Sequence, residues 1–294
     1  MGIDRAHYHT WRGPLRSPWI ASLSIVRVGL LQVFRRKAYW FVLGLGLTLF
    51  LTYFAMIYIA TQLGGDGKRF ILEHMSFHVE PDASRRNGYL RFMELQSTVV
   101  MMLLAFSGSL LVGPDFRLKS LPFYLSRRID ARHYIFGKLA TVSALVALLT
   151  VVPALALFVQ YGAFTSSFDY WIDNWKILVS ILGYGMVMCA VLSILLVTLS
   201  AYLQRMAPIA ITWSSMFILL RIVAYQLNEA TGNAYWLLVD PWRNMRSVGR
   251  SFLGFFPRPE DREMAPWSAA ILVTICLLAL LALRRRVRAV DIVN

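Results

Sequence analysis

The sequence predicts an all-α membrane protein with six transmembrane helices. Of its 294 residues, 57% are apolar and only 16% are charged, against about 25% charged residues in an average soluble domain. Six stretches have about the 20 apolar residues that a helix needs to cross a bilayer. A helix can cross because all of its backbone hydrogen bonds form within the segment, where lipid offers no partners. Basic residues concentrate in every second connecting segment. This composition excludes a water-soluble globular domain.

The six predicted spans form one domain, residues 38–283. The second and sixth are short, but they carry no charge, and tilting or local thinning of the bilayer accommodates short spans. The predicted spans are 38–61, 96–113, 139–161, 175–203, 209–227 and 267–283.

Residues 1–37 are predicted to form a cytoplasmic N-terminal region without a cleavable signal peptide, because no apolar run precedes a small-residue cleavage site. Within it, 18–37 has the spacing of an amphipathic helix along the inner membrane surface. The alternative is an N-terminal extension of the first span. The apolar positions of this helix are Trp19, Leu23, Val26, Leu30 and Phe34.

The charge distribution predicts that both termini lie in the cytoplasm. With that orientation, the internal segments 1–37, 114–138, 204–208 and 284–294 contain 18 Lys and Arg against four acidic residues. Their balance of +14 equals the net charge of the whole chain. Because Lys and Arg of short loops stay on the cytoplasmic side, we expect a multi-pass protein of the inner cell membrane with a basic cytoplasmic tail at 284–294. The same bias explains the basic composition without nucleic-acid binding.

Two longer segments are predicted on the outer side. Loop 62–95 contains His74 and His78, whose spacing could place both on one helix face, with Glu73 adjacent. No third ligand stands at a fixed spacing, so we predict no metal site. Loop 228–266 interleaves aromatic residues with five arginines and is too interrupted by proline to span. It is predicted to lie at or dip into the outer interface, where it could form a lid.

Arg221 is the one charge well inside a predicted span. A charge in lipid is costly enough that function is the default expectation, but snorkelling to the outer interface is an equal alternative. Glu229, two turns further along the helix, is a possible partner.

The residues expected of an enzyme are missing. All five histidines lie outside the spans, no paired carboxylates lie within them, and no complete nucleotide-binding motif is present. Cys189 and Cys276 both fall in apolar spans, as small buried side chains do. We therefore expect no enzyme activity and no cofactor in this chain. If the protein moves a substrate uphill, a partner must supply the energy.

The connection between the second and third spans, 113–140, is short, basic and amphipathic, and cannot itself cross a membrane. It contains an acidic residue followed by a basic helix-forming stretch and then an aromatic residue before Gly-Lys. The sequence reads Asp115-Phe116-Arg117-Leu118-Lys119-Ser120-Leu121, then Leu125-Ser126-Arg127-Arg128, then Tyr134-Ile135-Phe136-Gly137-Lys138-Leu139.

This order of elements, together with the basic ending at 284–293, resembles the permease subunit of type-2 ABC transporters, a family mainly of exporters. The resemblance implies that 114–127 forms a cytoplasmic coupling helix that docks on a separate ATPase subunit, which carries the ATP and Mg. It also implies a second permease chain, identical or paralogous, in the same bilayer. The residues implied in ATPase coupling are Asp115, Phe116, Arg117, Leu118, Lys119, Leu121, Tyr124 and Leu125.

Two other functions remain open at this stage. The 114–138 connection could instead recruit a signalling partner to a membrane scaffold or sensor. A membrane enzyme would need its chemistry in the outer loops, where His74, His78 and Glu73 are the candidates.

Overall fold

The computed structural model describes residues 17–62, 88–118, 130–164, 169–252, 254, 256 and 259–291. Within these ranges every regular element is helical, and six helices are long and apolar enough to cross a membrane, which confirms the all-α class and the predicted number of candidate spans. The elements are α1 (Pro18–Phe34), α2 (Lys37–Gln62), α3 (Gly88–Leu111), α4 (Gly113–Arg117), α5 (Ala131–Leu149), α6 (Val151–Phe164), α7 (Asp169–Asp173), α8 (Trp175–Leu203), α9 (Met206–Thr231), a 3-10 helix (Ala234–Val239), α10 (Pro241–Phe252) and α11 (Pro259–Asp291).

The second and sixth spans are longer than predicted. The predicted span 96–113 corresponds to α3, which begins at Gly88, and 267–283 corresponds to the 33-residue α11. The prediction ended each span at its first charges. The helices continue past these charges. Glu94 pairs with Arg250, and the guanidinium of Arg286 lies 5.6 Å from the ring centre of Tyr202.

The third span is interrupted near its middle. Proline has no N–H, so Pro153 cannot donate to the carbonyl of Leu149, and its ring crowds that carbonyl. Helix α5 ends at Leu149, and α6 begins at Val151. The hydroxyl of Thr150 between them donates to the carbonyl of Val146 at 2.7 Å. The break divides the span into two helices that both pack on α2, α3 and α8, while α5 in addition contacts α1 and α11.

The N-terminal helix α1 ends at Phe34 before α2 begins at Lys37, so it is a separate helix and not a continuous extension of the first span. It packs along the first turns of α5. A Cβ on Gly137 would lie 3.1 Å from Ile25, and one on Gly29 would lie 2.6 Å from a methyl group of Thr141, so glycine allows the close approach at both points. Its placement along a membrane surface stays a prediction.

Helix α8 lies at the centre of the bundle and contacts α3, α5, α6, α9, α10 and α11. Small residues bring neighbours close to it, as in many membrane helix pairs. A Cβ on Gly108 would lie 2.6 Å from the hydroxyl of Ser200. Helices α2, α9 and α11 bury only 22%, 17% and 17% of their most apolar windows inside the chain, against 65% for α3. The apolar faces of these three helices are therefore left for lipid or another chain.

The chain after α9 turns back alongside the bundle, and we call residues 234–252 the re-entrant segment. The ring of Trp242 lies 6.2 Å from that of Phe217. Phe217 is 14 residues before the end of α9, or about 21 Å along the helix axis at 1.5 Å per residue. Helix α10, with 12 residues, is too short to span. The segment predicted to lie at or dip into the outer interface packs against α9 well inside the end of that helix, and its position relative to a membrane stays a prediction.

Candidate functional site

Two sites in different parts of the bundle bring together residues singled out in the sequence. The first lies where α3 meets α5. The amino group of Lys138 lies 2.6 Å from Oδ2 of Asp115, and the hydroxyl of Tyr134 donates to the same oxygen at 2.8 Å. Lys138 also donates to the carbonyl of Leu111 at 2.5 Å. We call Asp115, Tyr134 and Lys138 the ion-pair brace.

Local sequence places each member of the brace. Val112 leaves the helical conformation at φ −126°, and Pro114 then starts α4, with Asp115 in its first turn. Tyr134 and Lys138 are four residues apart on α5 and therefore share one face. The brace fixes the point where the chain leaves α3 and the point where it enters α5.

Gly113 allows the brace to pack directly against the end of the central helix α8. A Cβ on Gly113 would lie 2.5 Å from the backbone carbonyl oxygen of Gln204, which immediately follows α8. Gln204 adopts the left-handed conformation at φ 58°, so the chain turns sharply there before α9. A backbone atom cannot move aside as a side chain can, and the contact therefore requires glycine.

Burial makes the brace an interior ion pair. Tyr134 is 1% exposed, and the side chains of Lys138 and Asp115 are 9% and 13% exposed. Charges removed from water are stabilised only when partners with good geometry replace the lost hydration. Here Asp115 accepts from two donors and Lys138 donates to two acceptors. The arrangement can hold the end of α3 and the start of α5 in a fixed relative position. The carboxylate of Asp115 faces the interior of the chain.

The predicted coupling residues fall into three groups. Asp115 and Phe116 lie inside the chain, Phe116 with 9% exposure. Arg117 and Leu118 are exposed, Leu118 by 66%. The others lie outside the described residues: Lys119, Leu121, Tyr124 and Leu125. Among described residues, Arg117 and Leu118 are therefore the ones free to meet a partner, while Asp115 and Phe116 position them.

The second site surrounds Arg221. A groove of about 340 Å³ opens between α3 and α9 and is closed at one side by Trp242 of the re-entrant segment. The guanidinium of Arg221 lies 5.8 Å from the ring centre of Tyr225. Within the described ranges it forms no ion pair, so Glu229, the partner considered from sequence, is not its counter-ion. Eight residues separate the two, about 12 Å along the helix.

Two partly buried ion pairs connect the re-entrant segment to the bundle. Arg250 donates from two nitrogens to Oε1 of Glu94 on α3, at 3.1 and 3.3 Å. Arg243 donates to Asp261 at the start of α11, at 3.1 Å. Sequence reasoning missed both pairs, because Glu94 and Arg250 are 156 residues apart and no local spacing links them.

Asp240 begins α10 as its N-terminal cap. Its Oδ1 accepts from the backbone N–H of Trp242 at 2.9 Å, while its Oδ2 is buried without a hydrogen-bond partner. Burial raises the pKa of this carboxyl above its ordinary value. Backbone N–H groups of Arg243 and Trp242, and the charges of Arg246 and Arg221, act in the opposite direction.

The substitution Asp240→Asn is expected to leave stability unchanged or raise it, because asparagine caps a helix equally well and removes a charge that burial penalises. Asp240→Ala should instead cost about 0.5–2 kcal/mol through loss of the cap. Thermal unfolding of both variants in the same detergent checks this difference. Equal losses for Asn and Ala would show that the charge itself is needed.

Metal-ligating residues do not cluster in the part of the chain that the structure describes: no group of three or more His, Cys, Asp or Glu side chains is found there. His74, His78 and Glu73 lie outside it. The free thiols Cys189 and Cys276 are partly buried in separate helices.

Comparison with protein families finds no family model that matches this chain. Comparison with curated proteins finds no significantly similar sequence. Function must therefore be argued from the two sites.

Proposed function

We propose that this chain is the membrane-spanning permease subunit of an ATP-driven ABC transporter of the exporter type, and that it couples to separate ATPase subunits through the connection between α3 and α5. The observation that carries the proposal is the ion-pair brace. It anchors both ends of the 119–129 connection to the central helices, so a force applied to that connection reaches α3, α5 and α8.

Charge supports a cytoplasmic partner at this end. Under the predicted orientation the brace, the start of α2, the end of α11 and the basic clusters all lie in the cytoplasm. The exposed pair Arg117 and Leu118 fits a surface with an apolar pocket and an acidic rim, since buried apolar anchors supply affinity and rim charges guide association.

The energy source is assigned to the partner. The sequence contains no complete nucleotide-binding motif, so ATP and Mg would bind the cytoplasmic subunits. Movement of the coupling connection would then rock the helices it is attached to, which is the logic of alternating access. The sparsely buried faces of α2, α9 and α11 leave apolar surface for the bilayer and for a second permease chain.

Gentle detergent extraction from native membranes tests the proposal. We expect an ATP-hydrolysing subunit to co-purify with the intact chain. Leu118→Asp should weaken that association about tenfold or more, because burying a leucine contributes about 1.5–3 kcal/mol. Tyr235→Asp is a matched control, because Tyr235 is similarly exposed, at 59%, at the opposite end of the bundle.

Absence of any nucleotide-hydrolysing partner would contradict the transporter proposal. Recovery of a different cytoplasmic protein, lost with Leu118→Asp and kept with Tyr235→Asp, would instead favour the scaffold function. Phe116 is unsuitable for this test because its burial means that Phe116→Asp would damage the fold itself.

A further inference from the structure

We propose that the groove between α3 and α9 binds a single-chain amphiphile with an anionic head group. We call it the Arg221 groove. Its wall on α3 contains Thr98, Met102 and Phe106, and its wall on α9 contains Trp213, Phe217 and Arg221. The inference depends on the membrane location of these helices and not on coupling to an ATPase.

The charge of the groove lies at one end, with Arg221 and Thr98, while the other end is mainly apolar and has Ser214 as its polar residue. Helices α3 and α9 are antiparallel, because Gly108 lies against Ile209 while the earlier Met101 lies against the later Trp213. Thr98 therefore lies on the same side of the groove as Arg221. Phe106 and Trp213 lie towards the other end. The indole nitrogen of Trp213 donates to the carbonyl of Met101 at 3.3 Å, so its polar atom is satisfied and its ring is an apolar surface. This gradient matches an amphiphile with its head near Arg221.

Charge complementarity identifies the head group as anionic. Arg221 is exposed on the face of α9 that lines the groove, near the middle of a helix that crosses a membrane. No carboxylate among the described residues lies within ion-pair distance of it. Asp240 acts on it at longer range, but that carboxylate is fully buried and caps α10. A guanidinium has five N–H donors in a planar fork, which suits carboxylate, sulfonate or phosphate oxygens.

Size identifies a single chain. A volume of about 340 Å³ lies at the lower limit of the roughly 300–1,000 Å³ of ligand pockets. It accommodates one acyl chain better than two. Met101 and Met102 line the groove, and the flexible thioether of methionine adapts to chains of variable shape.

Quenching of tryptophan fluorescence tests this occupant, because Trp213 and Trp242 line the groove. The probe is an alkyl sulfonate with a brominated chain, added to the full-length protein in phosphatidylcholine nanodiscs. The sulfonate stays ionised throughout the working pH range. We expect saturable quenching, with the brominated alcohol of equal chain length binding at least about tenfold more weakly, as loss of a charge-assisted hydrogen bond implies.

Four variants, one of them a control, distinguish the site from general partitioning. Arg221→Gln should reduce sulfonate affinity to that of the alcohol, and Arg221→Lys should retain most of the preference for the sulfonate. Trp242→Phe should lower the quenching amplitude and leave the sulfonate's preference over the alcohol in place. Arg246→Gln, which removes a cation of the re-entrant segment that does not line the groove, should bind as the original chain does.

Equal binding of sulfonate and alcohol, or an unchanged affinity in Arg221→Gln, would overturn the proposal. So would quenching by a brominated two-chain phosphatidylglycerol alone, which would assign the groove to a bilayer lipid. If two copies of the chain cross-link through α9 and the sulfonate causes no quenching, the groove is instead an interface with a second copy. If sulfonate binding persists in a preparation from which no ATPase partner is recovered, the binding site is supported although the proposed transporter function is contradicted.

Discussion

Replacing Lys138 with methionine is expected to lower the free energy of unfolding by about 3–5 kcal/mol, the usual cost of removing one partner of a buried ion pair. Methionine fills nearly the same space, so the loss reports the charge and not a cavity. It leaves the Asp115 carboxylate without its lysine partner, although the Tyr134 hydroxyl still donates to it, and it removes the Lys138 hydrogen bond from the carbonyl of Leu111. Thermal unfolding of the purified chain in one detergent measures the effect.

The double variant Asp115→Asn with Lys138→Met is the control. Because it removes both charges, it should recover much of the loss, and the coupling from the double-mutant cycle should exceed about 1 kcal/mol. Additive single effects would mean that the two side chains stabilise the fold independently. An unchanged unfolding temperature in Lys138→Met would show that the ion-pair brace does not stabilise the fold.

Replacing Arg250 with methionine is the second large expected effect, again about 3–5 kcal/mol. The Glu94 side chain, 14% exposed, would lose its guanidinium partner inside a helix long and apolar enough to cross the bilayer. The re-entrant segment would lose its tether to α3 while keeping the Arg243 pair with Asp261. Faster limited proteolysis within 234–252, together with a lower unfolding temperature, would be the signature.

Arg246→Met is the matched control on the same helix, because Arg246 forms no ion pair with any described residue. It should cost clearly less than Arg250→Met and leave proteolysis of the segment unchanged. If the two variants behave alike, the segment is held by its apolar contacts, such as Tyr184 against Gly249, and not by the Glu94 pair.

Hydrophobicity was sufficient to predict six spans, because apolar length is a direct requirement of the bilayer. It misplaced the ends of the second and sixth, because the sequence does not reveal that Glu94 is neutralised by a residue 156 positions away. The same limit applies to the brace. The Tyr134 and Lys138 spacing was visible, but their meeting with Asp115 depends on how α3 and α5 pack.

The exposed and buried members of the predicted coupling set could not be separated from sequence either. Phe116 and Leu118 are both apolar and two residues apart, yet one is 9% and the other 66% exposed. The difference arises because α4 packs one side against α3 and α8. Likewise, Arg221 was identified as an isolated charge, but its groove depends on Trp242, which the re-entrant segment brings to α9 from beyond the span.

Site-specific photo-cross-linking at Leu118 in native membranes tests the central claim most directly. A photoreactive phenylalanine analogue at this exposed position should form an adduct with an ATP-hydrolysing subunit, and the same analogue at Tyr235 should not. An adduct to that subunit only from position 235, or adducts only to lipid at position 118, would contradict the account.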